Sequence, residues 1–288
     1  MTVAVVNIGI EQQARAHQDS LTKPRGALGR LEDVACWFAG RQGKRLPDRL
    51  RPHIAVFAGD HGVCEEGVSA YPSVVTGEMV KNFVRGGAAI NVLARQCEAT
   101  LSVVDVGVLS DIAGLEGVEH SKVRNGTANL LHAAAMSQDD CASAIEVGRA
   151  QARAAIAGGA NLLIAGDMGI GNTTASACII CRLTGATPEA VVGFGTGVDD
   201  AGRSLKVDVV GRALQRIAGK ADGLVLQEVG GLEIAAIAGF YLQAAESGIP
   251  VVIDGFIASA AAPAAKVIEP LACDWMLASH ISHENGHA

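Results

Sequence analysis

Residues 161–176, NLLIAGDMGIGNTTAS, hold a strand, a turn and a helix start within sixteen positions. The run Asn161 to Ala165 is short and apolar without strict alternation, the pattern of a strand buried on both faces of a parallel sheet. Gly166, Gly169 and Gly171 follow it, and Asn172, Thr173 and Thr174 open an Ala-containing helical stretch. Glycines let a backbone approach a ligand closely. The unsatisfied N–H groups at a helix N-terminus, together with its dipole, favour an anion such as a phosphate. The spacing G-x-x-G-x-G matches neither the P-loop, because no Lys follows, nor the dinucleotide fingerprint. A tight strand-to-helix turn is the plainer reading of the same residues.

Outward from this stretch, similar runs recur at His53 to Ala58, Leu101 to Val106, Ala190 to Phe194, Pro250 to Ile253 and Asp274 to Ala278. Helix-permissive segments lie between them at Ser143 to Ala157, Ser204 to Ile217 and Leu232 to Glu246. This βαβ alternation predicts a three-layer α/β fold around a parallel sheet. Four of the runs end in an acidic residue beside Gly, at Asp60 (AGDHG), Asp105 (VDVG), Asp167 (AGDMG) and Asp254 (IDGF). Ligands of open parallel sheets sit at the strand carboxyl ends, so these aspartates would line one rim. Each, taken alone, could equally cap the helix that follows. Residues 1–50 are polar and basic and read as a small helical lobe beside an α/β unit spanning 51–288.

The chain has 49% apolar and 18% charged residues, which excludes disorder, and its length gives a core that needs no disulfide or metal staple. Glycine, at 35 of 288 residues, is well above the usual ~7%, so tight loops are expected. A net charge of −7 with 3% aromatics offers neither a cationic face nor a stacking platform for nucleic acid. The N-terminus reads as lacking a secretory signal, and the apolar stretch Ile234 to Ala245 is too short to span a bilayer. Seven scattered cysteines then suggest reduced thiols in a cytoplasm. Cys178 and Cys181 form a C-x-x-C without a second pair and read as core residues. His280, His283 and His287 with Glu284 suggest a zinc site only weakly, because a chain end is a poor place to preorganise ligands.

A second glycine-rich segment, VGFGTGVDD at 192–200, precedes Lys206, which offers a point charge to a phosphate or, more plainly, faces solvent. The ordered blocks KPRGALGRLE (23–32), AGDHGVCEEGVSAYPSVVT (58–76), DVGV (105–108), GDMGIGNTTAS (166–176), KVDVV (206–210), VGG (229–231), PVVIDGF (250–256) and ASHISHENGH (278–287) run nearly the whole chain. On these blocks the sequence resembles the nicotinate-nucleotide:dimethylbenzimidazole phosphoribosyltransferases, which make the lower-ligand nucleotide of cobalamin.

The resemblance implies a Rossmann-like parallel sheet with a small second domain, usually a homodimer, whose site lies at the strand carboxyl ends. It implies transfer of the phosphoribosyl group of nicotinate mononucleotide to a benzimidazole nitrogen, with release of nicotinate and inversion to α-ribazole phosphate. It also implies that no metal or cofactor takes part. Carried over position by position, Gly169, Gly171, Asn172, Thr173, Lys206 and Ser282 hold the phosphate and ribose. Tyr71, Met79 and Met168 surround the benzimidazole. Asp167 and Asp254 favour oxocarbenium-like charge at the ribose carbon. Relatives continue past the ASHISHENGH block to a glycine-flanked glutamate, the family's general base, which these residues do not include. Loss of such a base typically costs about 10²–10⁴ in rate, so the expectation is binding with impaired turnover. The alternatives are a protein that binds nucleotide or base without turnover, or a subunit completed by a partner chain.

Overall fold

The computed structural model describes residues 2–287. Among them six parallel strands form one sheet: β1 (Pro52–Gly59), β2 (Thr100–Gly107), β3 (Val118–His120), β4 (Leu162–Met168), β5 (Val251–Ile253) and β6 (Met276–Ala278), in the order β3-β2-β1-β4-β5-β6. The helices are α1 (Ile8–Ser20), α2 (Arg30–Gln42), α3 (Val74–Val84), α4 (Ala89–Gln96), α5 (Gln138–Ala157) and α6 (Asn172–Thr184). They continue as α7 (Pro188–Val191), α8 (Asp200–Arg216), α9 (Val225–Val229), α10 (Leu232–Glu246) and α11 (Phe256–Ile268).

Both sheet faces are covered, which is why the strands read as apolar runs. Along β1, Ile54, Val56 and Ala58 join the layer of α3 and α4, while Ala55 and Phe57 join the larger core with α5, α6, α10 and α11. The register sets Val56 opposite Val103 on one side and Gly166 on the other. Helix α10 is buried almost all round, and it meets α5 at near backbone contact. A Cβ on Gly148 would fall 1.7 Å from the Ala236 carbonyl oxygen, and one on Gly239 would fall 2.0 Å from that of Ile145. No helix among the described residues is long and apolar enough to cross a membrane.

The three-layer parallel α/β fold is the one expected, with two local corrections. Ala190 to Phe194 is not a strand: Pro188 opens the short helix α7, and residues 192–197 form a loop. Proline preset for a first helical turn outweighs the valines that follow. The sheet instead gains β3, whose Val-Glu-His sequence has one buried residue and no apolar run to announce it. Helices α5 and α8 begin earlier than their apolar pattern because Ser137 and Asp199 accept hydrogen bonds from the N–H groups of Asp140 and Gly202. Helices α1 and α2 pack on each other through Ile10, Ala14, Cys36 and Ala39. The guanidinium of Arg41 donates to the Asp274 carbonyl (2.7 and 2.9 Å) and Arg30 to that of Ala278 (2.7 Å), which ties the pair to the β6 edge.

Candidate active site

The strand order places β1 between β2 and β4, with the chain winding outward in both directions, and a doubly wound sheet opens a crevice at that reversal. The residues just past β1 and β4 are Asp60 and His61, and Gly169 to Gly171. His61 Nε2 lies 2.5 Å from Glu233 Oε1, and both side chains are fully buried. Burial disfavours the imidazolium, but the adjacent charge of Glu233, with Asp60 and Asp167 behind it, outweighs this and raises the His61 pKa. Glu233 stands in the first turn of α10, where the helix dipole favours a carboxylate. Asp60 Oδ2 accepts from the Leu109 N–H at 2.7 Å, yet burial still pushes its carboxyl up.

Above this pair runs the turn read from the sequence. Gly171 is the N-cap of α6 at φ +93°, and no side chain caps that helix. A Cβ on Gly169 would meet the Gly59 carbonyl oxygen at 2.3 Å and Glu233 Oε1 at 3.1 Å, and one on Gly171 would meet Cys64 Sγ at 2.6 Å. The glycines therefore let the turn lie directly on the buried pair. The Ile170 N–H donates to Thr76 Oγ1 at 3.2 Å, and Asn172 Nδ2 donates to Asp167 Oδ1 at 2.9 Å. Burial, reinforced by the charges of Glu233 and Asp254 and opposed by Asn172, pushes the Asp167 carboxyl up to about 7.

Lys206 is not a solvent-facing lysine: it is 2% exposed, and its Nζ donates to Thr173 Oγ1 at 3.0 Å. No carboxylate of the described residues comes within ion-pair distance of it, and burial lowers its pKa against the more distant Glu284. The loop 192–200 folds over it at Gly195 (φ +54°), where a Cβ would be 2.8 Å from Nζ. Ser282 is half-buried. Its N–H donates to His287 Nδ1 at 2.6 Å, leaving Nε2 of that ring to donate to Ser259 Oγ at 2.8 Å, and Ser282 Oγ accepts from the Glu284 N–H.

Other predicted members are more scattered. Met79 and Met168 pack against one apolar cluster on the α3–α4 face, while Tyr71 is half-exposed on a separate cleft of about 420 Å³ lined also by His61, Cys64 and Leu109. Asp254 is exposed, 3.9 Å from His280 Nδ1. Asp105 is withdrawn from the rim: it accepts from the Val108 N–H at 2.9 Å and lies 3.4 Å from Lys122 Nζ. Among the described residues, no group of three or more His, Cys, Asp or Glu side chains could hold a metal ion. A cleft of about 480 Å³ around His53, Ser102 and Glu119 lies at the amino ends of β1 and β2, away from this chemistry. Sequence reading missed His61 and Glu233 as partners. The available signals were a histidine directly after a strand-end aspartate and one acid at the head of an otherwise apolar helix.

The comparisons with known proteins identify the family and the fold. A phosphoribosyltransferase family model matches residues 3–288. The nicotinate-nucleotide–dimethylbenzimidazole phosphoribosyltransferase of Chromobacterium violaceum is 60% identical over 98% of this chain and 82% of its own length. That of Thermus thermophilus is 50% identical over 96% and 82%. A crystal structure of CobT from Thermus thermophilus superposes with a TM-score of 0.94 at 49% identity, covering 97% of this chain and 84% of that one. The chain belongs to the nicotinate-nucleotide:dimethylbenzimidazole phosphoribosyltransferase family.

Proposed function

We propose that this enzyme transfers the phosphoribosyl group of nicotinate mononucleotide to dimethylbenzimidazole, yielding α-ribazole phosphate and nicotinate. The observation that carries the reading is Lys206, a buried ammonium without a counter-ion among the described residues, beside Thr173 at the uncapped start of α6. Burying an unpaired charge is costly, and a phosphate dianion is the ligand that would offset it. Gly169, Gly171, Asn172 and Thr173 complete the phosphate and ribose contacts, with Ser282 from the last segment.

In the reaction the bond from the ribose C1 atom to the pyridinium nitrogen breaks with its electron pair going to the departing nicotinate. A benzimidazole nitrogen attacks from the opposite face, which inverts that carbon, and the N–H proton of the other benzimidazole nitrogen is lost to water. Positive charge builds on the sugar in between. Asp167, as carboxylate, would stabilise it, with Asp254 contributing at longer range. Tyr71, Met79 and Met168 supply flat and thioether surface for the aromatic base. The relatives' printed names favour turnover over the binding-only and partner-completed alternatives.

The same reading makes the enzyme a cytoplasmic homodimer with no nucleic-acid partner. Seven free cysteines, a net charge of −7 and solvent-facing Leu31 and Ile281 support it. The test is formation of α-ribazole phosphate from the two substrates, followed by chromatography. No product, together with no saturable binding of nicotinate mononucleotide in calorimetry, refutes it.

A further inference from the structure

The His61–Glu233 pair is poorly explained as a stabilising device. Buried ion pairs are often no better than apolar residues of similar volume, because desolvation consumes the attraction. Here His61 Nδ1, Glu233 Oε2 and Asp60 Oδ1 also lack hydrogen-bond partners. Three chain segments nevertheless close on the pair with glycine at the contact. A Cβ on Gly231 would sit 2.3 Å from His61 Cε1 and 2.7 Å from Glu233 Oε2. One on Gly169 would sit 3.1 Å from Glu233 Oε1, and one on Gly59 would sit 3.2 Å from Glu233 Oε2. One on Gly171 would sit 3.3 Å from His61 Cβ. The turn 169–171 thus rests on these two side chains together with the Gly59 carbonyl and the Cys64 thiol, 2.3 and 2.6 Å from where Cβ atoms on Gly169 and Gly171 would lie. The backbone of the turn has four other ties among the described residues: the Ile170 N–H to Thr76, the Asn172 N–H to the Gly169 carbonyl, the Thr174 N–H to the Gly171 carbonyl, and the Cys64 thiol to the Ile170 carbonyl at 3.0 Å.

We infer that His61 and Glu233 are positioning residues for phosphoribosyl transfer: their hydrogen-bonded pair is the floor that holds Gly169 to Thr173 in place to receive the sugar phosphate. This rests on the proposed reaction for its ligand, but the hold on the turn is a property of the protein alone. Neither side chain touches the substrate; they act through the turn.

The test compares the intact chain with Glu233→Gln, His61→Gln and the double variant. Amide hydrogen exchange reads the turn directly. Exchange at Ile170 to Thr173 is expected to accelerate about tenfold or more in each variant, with α5 and α11 unchanged. Misplacing the turn is expected to weaken nicotinate mononucleotide, in calorimetry and in KM, by about tenfold or more, while KM for dimethylbenzimidazole stays within about twofold. Because the pair acts as a unit, the double variant is expected to be no worse than either single one. A purely structural role would lower the active fraction, and so kcat, and leave both KM values alone. Native exchange at 170–173 in a folded variant overturns the inference, as does additive damage in the double variant. If Glu233→Gln does not fold, His61→Gln carries the same readouts. Loss of product with the unmutated chain refutes the proposed reaction and leaves the exchange result to decide the inference.

Discussion

Replacing Asp167 by Asn should make the protein less active and more stable, with the stability gain growing as pH rises from about 4 and complete past about 7. The carboxyl at the end of β4 is pushed up to about 7 from the ordinary 3.8, chiefly by burial and then by the charge of Glu233. Because the folded state holds this proton more tightly than the unfolded chain, stability falls as pH rises from about 4 and levels off past about 7. The full difference amounts to as much as about 4 kcal/mol. The carboxyl is partly open to solvent, which trims the gain to about 2 kcal/mol, or about 4–8 °C in Tm for a chain of this size. Asn at 167 is nearly isosteric and keeps a carbonyl to accept from Asn172 Nδ2, so packing changes little. Melting curves of both proteins at pH 4 and pH 8 should nearly coincide at the lower pH and separate at the higher. In kinetics, kcat should drop by about 10²–10³, and the acid limb near pH 7 should vanish. A Tm difference equal at both pH values would refute the burial argument, and an unchanged kcat would remove Asp167 from the reaction.

The remaining expectations are simpler. Lys206→Met removes a charge-assisted contact of about 2–3 kcal/mol, so KM for nicotinate mononucleotide should rise by about 30- to 150-fold with KM for the base unmoved; an unchanged nucleotide KM rules out a phosphate at Lys206. Its Tm should not fall, since a buried ammonium with one hydrogen bond is replaced by an apolar chain of similar length. Gly148→Ala forces a Cβ to 1.7 Å from the Ala236 carbonyl, and α5 and α10 must move apart at a cost of about 1–3 kcal/mol. Thermal denaturation with a native Tm would mean that this helix contact yields freely.

The strands β1, β2 and β4 were legible because a parallel strand covered on both faces is a nearly unbroken apolar run, a purely local property. Where the local signal is weak the reading failed: Val191 and Val192 look like a strand, but Pro188 turns their segment into α7. The three residues of β3 hold too little apolar pattern to register, and Thr100 to Gly107 of the neighbouring strand recruits them only once the sheet exists.

The site divides along the same line. Gly169, Gly171, Asn172 and Thr173 are consecutive or nearly so, and their geometry follows from one strand-turn-helix junction, so residue order announced them. Lys206 was visible as a residue type, but its burial came from the loop at Gly195 closing over it. The His61–Glu233 contact spans 172 positions, and its charge state depends on the adjacent Asp60 and on Asp167 arriving from the end of β4. The order of residues was therefore enough for β1, β2 and β4, the main covering helices and the glycine turn at 169–171, since each arises from neighbours in the chain. Which acids lie buried together, and which cation is left without a counter-ion, follows from desolvation and Coulomb interactions between groups that only the folded packing brings within a few ångströms.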